Sequence, residues 1–367
     1  MLSKQNSKYG MVGTIPIRNI WLLMLYASDL YRHEGNTFVS VEDNPEELPE
    51  LVAELLTNAV EERLRWNLTY GYQYKKEQLS RVRGRIDILS TERRQLLSKG
   101  KIICKFEDLS VNTTRNRYVL SALKFLIGLL QKPATIRKCR SLVSTLNQLG
   151  VSDNRPTRSE ISKDKLGRND SADRLMLSLA KLVFDMSIPA ETEGDYYLYY
   201  PHRDEIWMRK LYEKAIGGFY SVKLSSNNWN VVLSKSLKWQ IEARTAAIDN
   251  ILPSMRTDVI IENFLEQRKI IIDTKFNSLL TTGWHRDETI RSGYLYQMYA
   301  YLMSQNNNGN ILDSTAAGLL LHPALSSAID ETVIIQGHPI RFATVDLTAS
   351  SSEISNRLIQ LLDFHKF

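Results

Sequence analysis

The sequence predicts an α/β protein: an N-terminal region mixing helices and strands, followed by a C-terminal domain whose small mixed sheet is flanked by helices. Three observations carry this. At 367 residues the chain is too long for one ordinary domain. Its composition, 43% hydrophobic and 24% charged, is globular rather than disordered or fibrous. Beyond Pro201 the pattern runs helix, three strands, helix, strand. The expected domains are therefore residues 1–200 and 201–367.

The elements follow in order. In Thr14–Leu30 the apolar positions Ile20, Leu23, Met24 and Ala27 recur at helical spacing, giving a buried helix entered through an extended Pro-Ile-Arg segment. An acidic helix spans about Pro45–Leu68, with Leu48, Leu51, Leu55, Val60 and Leu64 inward. Residues 70–88 alternate like strands and end in the basic run Arg81–Asp87, where Gly84 marks a bend or a close backbone approach. An extended piece, Lys101–Asp108, precedes a helix from about Thr114 to Gln131. The polar stretch 152–174 reads as a loop, before a helix at 173–187 and an aromatic cluster at Tyr196–Tyr200. Downstream come a helix at about Asp204–Tyr220 and extended stretches near 229–242, 254–263 and 269–276. A helix at about 287–304, a strand at Gly318–His322, a hairpin near 331–346 and a short helix complete the chain.

Charge placement adds a second signal. From Tyr200 onward 17 basic residues balance 17 acidic ones, so the net +6 arises upstream. Residues 73–140 carry 17 basic and only 5 acidic side chains, while 42–62 holds eight acidic residues and no basic one. The basic segment suits a polyanion or an acidic protein surface; a solvated basic face is the plainer alternative. Two cysteines without metal or disulfide spacing, no apolar run near the ~18 residues of a membrane span, and no secretory signal imply a cytoplasmic protein.

The sharpest chemical signal is Met255-Arg-Thr-Asp258-Val-Ile-Ile-Glu262, then Lys269-Ile-Ile-Ile-Asp273-Thr-Lys275. Residues two apart in a strand share a face, so Asp273 and Lys275 stand side by side. A tight hairpin brings Asp258 against them. Two carboxylates hold Mg²⁺ (with Mn²⁺ a substitute) when a phosphate oxygen and waters complete its shell, and the lysine orients or deprotonates a water. The bland alternative is an Asp258–Lys275 ion pair at a sheet edge, worth about 0–1 kcal/mol if exposed. Two carboxylates on one face argue against it, because like charges raise each other's pKa. Glu213, on the preceding helix, is either a further acidic member or a solvated glutamate. Gln297, on the helix Ser292–Tyr301, is placed to reach the metal water or a phosphate, with the neighbouring tyrosines as packing.

Other chemistries find no support. There is no P-loop and no G-x-S-x-G, and the six histidines are scattered. His285 and His322, the two nearest the acidic set in sequence, read as structural.

The order of these pieces resembles the McrC family, the nuclease subunit of McrBC-type modification-dependent restriction systems. The resemblance runs from Pro16-Ile-Arg-Asn-Ile-Trp-Leu-Leu-Met-Leu-Tyr-Ala27 through Gly84-Arg-Ile-Asp87 to Phe106-Glu-Asp-Leu-Ser-Val-Asn112 with Asn116-Arg117. It continues in Ser187-Ile-Pro189, Leu211-Tyr-Glu-Lys214, Asp258 with Asp273-Thr-Lys275, and Leu295-Tyr-Gln297. It implies a C-terminal PD-(D/E)xK restriction-endonuclease-like domain, in which Thr257-Asp258 stands for the Pro-Asp of the fold's name. It also implies an N-terminal region that inserts into and stimulates a McrB-like AAA+ GTPase hexamer, double-stranded DNA as substrate, and McrC–McrC pairing. On this reading Asp258 and Asp273 bind metal, Lys275 positions the water, and Glu213 and Gln297 assist. The basic segment, with Arg81, Arg83, Arg85, Arg115 and Arg117, and the 152–174 loop become candidates for contacting the partner or DNA. The competing reading is a non-catalytic activator and assembly subunit whose nuclease fold is a scaffold. A stand-alone repair nuclease would leave over half the chain without a role.

Overall fold

The computed structural model describes residues 11–364 except 13, 35–37, 39–41, 43, 165–170, 188–200, 226–227, 282–287, 307–308 and 325–327. His285, Pro189 and the aromatic cluster Tyr196–Tyr200 lie outside the described residues. The chain forms two compact units, one of residues 1–48 with 185–367 and one of 49–184.

This differs from the expected division at residue 200, and the first helix is the reason. Helix α1 (Ile17–Ala27) is apolar all round: Ile20 to Tyr26 are each buried. A helix without a polar face must be surrounded by core. The Asn19 amide donates to the Leu347 and Ala349 carbonyls at 2.7 and 3.0 Å, tying the helix to the C-terminal end of the chain. A Cβ on Gly218 would lie 1.8 Å from the Tyr26 carbonyl, so only glycine permits this backbone crossing. The Pro16–Ala27 block is thus core of the C-terminal unit, not part of an N-terminal module.

The unit of residues 49–184 contains most of helix α2 (Leu48–Arg65) and a three-stranded antiparallel sheet of β1 (Gly71–Leu79), β2 (Arg85–Ile86) and β3 (Ile102–Ser110), ordered β1-β3-β2. Gly84 has φ +67°, and a Cβ there would meet the Lys105 carbonyl at 2.5 Å, so the anticipated bend and close approach are both present. Helices α3 (Thr114–Leu129) and α4 (Pro133–Gln148) follow. Helix α4 was not foreseen. The 152–174 stretch is not one loop, because α5 (Arg158–Lys163) forms within it behind a Thr157/Glu160 capping box. Helix α6 begins at Ser171 and ends at Ser187.

The other unit is built on a six-stranded mixed sheet. After helix α7 (Pro201–Lys223) come β4 (Trp229–Leu233), β5 (Val259–Asn263) and β6 (Arg268–Thr274), paired antiparallel in sequence. Helix α8 (Ser292–Gln305) leads to β7 (Ala317–Pro323), which runs parallel to β6. A hairpin, β8 (Asp330–Ile335) with β9 (His338–Val345), gives the order β8-β9-β7-β6-β5-β4, and helix α9 (Ser351–Gln360) follows. Strands β5 and β6 are buried throughout or nearly so, which explains their unbroken Ile runs. Among the described residues no helix is long and apolar enough to cross a membrane.

Candidate active site

The site forms where β5 begins and β6 ends. Their antiparallel register pairs Ile272 with Val259, so one step further sets Asp273 opposite Asp258. Directly opposed residues project to the same face of a sheet. The Asp258 carboxylate accepts from the Thr274 backbone N–H at 2.7 Å and from its hydroxyl at 2.8 Å. Lys275 places its ammonium 2.5 Å from the Asp273 carboxylate, and its backbone N–H donates to Leu321 on β7. The hairpin thus gathers all three groups that the sequence singled out.

Asp273 is 1% exposed. Burial pushes its carboxyl up to about 6; Lys275 opposes this, while Asp258 and Glu213 add to it. Glu213, half-buried on α7, is also raised, by burial and then by Asp258; Arg256, Lys275 and Arg209 pull it back. Glu213 therefore shares the electrostatic environment of Asp258 and Lys275 and is not a remote helix glutamate.

Gln297 sits differently from expectation. Its side-chain amide donates to the Tyr301 hydroxyl at 2.5 Å, and that hydroxyl donates to the Arg256 carbonyl at 2.7 Å. Tyr301, 4% exposed, has its own pKa raised by burial, with Asp273 and Asp258 contributing. Gln297 thus braces the strand leading to Asp258 through Tyr301. From sequence Tyr301 reads as packing; its place one helical turn after Gln297 is the signal that links the two. The role of Thr274 had no signal beyond its position between Asp273 and Lys275.

Beside the lysine, Tyr294 presents its ring 5.7 Å from the Lys275 ammonium and stacks at a tilt against His322. His322 is fully buried, its Nδ1 lies 3.0 Å from the Asn277 carbonyl, and burial lowers its pKa to about 4. A neutral, enclosed imidazole is structural.

The five arginines assigned to partner or DNA contact lie in the unit of residues 49–184 and do not behave alike. Arg115 is a correction: it is 8% exposed and grips Asp164 through two bonds of 2.9 Å and Asp173 at 3.1 Å. Its position in the first turn of α3, facing α5 and α6, makes it an internal tie. Arg83 donates to Asp108 at 2.7 Å and lies over the Phe106 ring at 4.2 Å. Arg117 is half-buried. Arg81 and Arg85 are exposed, with no ion pair among the described residues. Lys75 also pairs with Asp108, and Lys76 and Lys105 with Asp87.

Among the described residues no three His, Cys, Asp or Glu side chains form a ready-made metal cage. The donor set is two carboxylates, Asp258 and Asp273, with a third nearby in Glu213. That set fits Mg²⁺, a hard cation that binds one or two protein carboxylates and keeps waters for the rest. Burial is the main reason the Asp273 carboxyl is raised, and the adjacent Lys275 ammonium does not fully compensate it.

Residues 2–314 match the family model described as the McrBC 5-methylcytosine restriction system component. The chain belongs to this family. The matched span includes Glu213, Asp258, Asp273, Lys275 and Gln297. The type IV methyl-directed restriction enzyme EcoKMcrBC of Escherichia coli strain K12 is 29% identical over 353 residues, covering 95% of this chain and 97% of the relative. Among solved structures, the half-complex from the tetradecameric assembly of Thermococcus gammatolerans McrB AAA+ hexamers with bound McrC is 12% identical, with a TM-score of 0.43, covering 94% of this chain and 76% of that one. The cryo-EM structure of the Thermococcus gammatolerans McrBC complex is 13% identical, with a TM-score of 0.33, covering 50% and 60%.

Proposed function

We propose that this McrBC family member is the DNA-cutting subunit of its restriction system, a Mg²⁺-dependent endonuclease that works with a McrB-like AAA+ GTPase partner. The observation that carries the reading is the β5–β6 register, which sets Asp258 opposite Asp273 with Lys275 against it. Family membership supplies the setting, a restriction system with more than one component.

Asp258 and Asp273 would hold the metal, which when bound supplies Lewis-acid polarisation of the phosphate and acidifies a water. Thr274 fixes the Asp258 carboxylate in place through two hydrogen bonds. Lys275 holds its ammonium at the mouth of the site, where it orients the attacking water. Tyr301 and Gln297 immobilise the Arg256 backbone, and through it the approach to Asp258. Glu213 closes the acidic side.

The test is cleavage of double-stranded DNA, with and without 5-methylcytosine, by the chain mixed with its AAA+ partner, GTP and Mg²⁺. Cutting that needs all three additions supports the reading. Stimulated GTP hydrolysis without cutting on any DNA would favour the scaffold alternative.

A further inference from the structure

Three carboxylates facing one ammonium repel the DNA backbone that a nuclease must admit. Two exposed arginines stand where they would correct this. Arg256 lies two residues before Asp258 in extended chain, and burial alternates there: Met255 and Thr257 point inward while Arg256 and Asp258 face out. Its backbone is anchored twice, by pairing with Ser236 and by the Tyr301 hydroxyl on its carbonyl. Arg209 lies one helical turn before Glu213 on α7, so the two share a helix face. Neither guanidinium has an ion pair or hydrogen bond among the described residues. A strand and a helix thus each present an exposed guanidinium near the acidic set.

We propose that Arg209 and Arg256 form a phosphate clamp: each guanidinium binds a backbone phosphate of the DNA strand lying across Asp258 and Asp273. Guanidinium presents paired N–H donors that match two phosphate oxygens, and an anchored backbone lowers the entropy lost on binding. Both arginines already act on Glu213, which places them within electrostatic reach of the carboxylates. From Tyr200 onward the chain is charge-neutral with these two arginines included, so they are not part of a general basic coat.

The inference rests on the nuclease reading, and its test is separable from it. DNA affinity of the full chain with its AAA+ partner is measured against salt, in the uncut D273N background. Each neutralised phosphate contributes about 0.9 to the slope of log affinity against log salt. R209Q and R256Q should each make the slope shallower by about that amount, and in the cutting enzyme raise KM more than they lower kcat. R209K and R256K should keep the slope while weakening binding. An unchanged melting transition in each variant excludes misfolding. Unchanged slopes and KM would show that the arginines only neutralise Glu213, and the clamp would be wrong. If the wild type does not cut DNA, the nuclease reading falls, while the slopes, which need no cleavage, still decide the clamp.

Discussion

Asp258 is held by Thr274: both the backbone N–H and the hydroxyl of Thr274 donate to one carboxylate oxygen of Asp258, at 2.7 and 2.8 Å. The residue between Asp273 and Lys275 therefore sets the orientation of the first acid. Hydrogen bonds to charged groups contribute about 1.5–3 kcal/mol. Thr274→Val, which keeps the N–H bond and the shape, should slow cleavage roughly tenfold to a hundredfold. Thr274→Ser should restore most of the rate. Single-turnover cleavage rates check this; equal rates for Val and wild type would sink it.

Asp273 is penalised as an anion by its burial, even with Lys275 beside it. Its carboxyl rises from 3.8 to about 6 in the fold, so folding favours the protonated form more than the unfolded chain does. Its contribution to stability is complete below pH 3.8 and is lost as the pH climbs through 6. Asp273→Asn, which mimics the protonated acid, should be more stable than wild type at neutral pH by up to about 3 kcal/mol, and no more stable at pH 3.8. Mg²⁺ should raise the melting temperature of the wild type and leave that of the variant unchanged. Thermal melts across pH, with and without Mg²⁺, measure both.

Much of this site was legible beforehand because strand geometry is local. The two-residue spacing of Asp273 and Lys275, and the short gap back to Asp258, determine which side chains share a face once a hairpin forms. What was not legible depended on contacts distant in sequence. Nothing near Asn19 announces its bonds to Leu347 and Ala349, so the first helix was grouped with the wrong domain. Arg115 read as a surface charge because Asp164 and Asp173, its partners, lie 49 and 58 residues away. Helix α4 leaves a readable trace, since Cys139, Leu142 and Leu146 recur at helical spacing and Pro133 suits the first position of a helix.

Arg115, as an internal tie, should behave as a folding residue. Arg115→Ala would leave Asp164 without its bidentate partner and Asp173, 1% exposed, with Arg63 as its remaining guanidinium. Breaking a buried pair costs about 3–5 kcal/mol. Chemical denaturation should show that loss; a variant as stable as wild type but defective in partner stimulation would return Arg115 to the contact surface.

His322 predicts acid sensitivity. Burial lowers its pKa from 6.5 to about 4, so the fold holds it neutral. The stability this provides is complete above pH 6.5 and declines toward pH 4, amounting to about 3 kcal/mol when fully lost. His322→Gln should flatten the fall in stability across that window. A wild-type stability constant from pH 6.5 to 4 would contradict the burial argument.

If Asp258, Asp273 and Lys275 act together to cut DNA, losing one carboxylate must abolish cleavage. The most direct measurement is cleavage by Asp273→Ala in the assembly with the AAA+ partner, GTP and Mg²⁺, read alongside GTP hydrolysis. Cleavage should disappear while stimulated GTP hydrolysis persists. Cleavage by Asp273→Ala at the wild-type rate would contradict this.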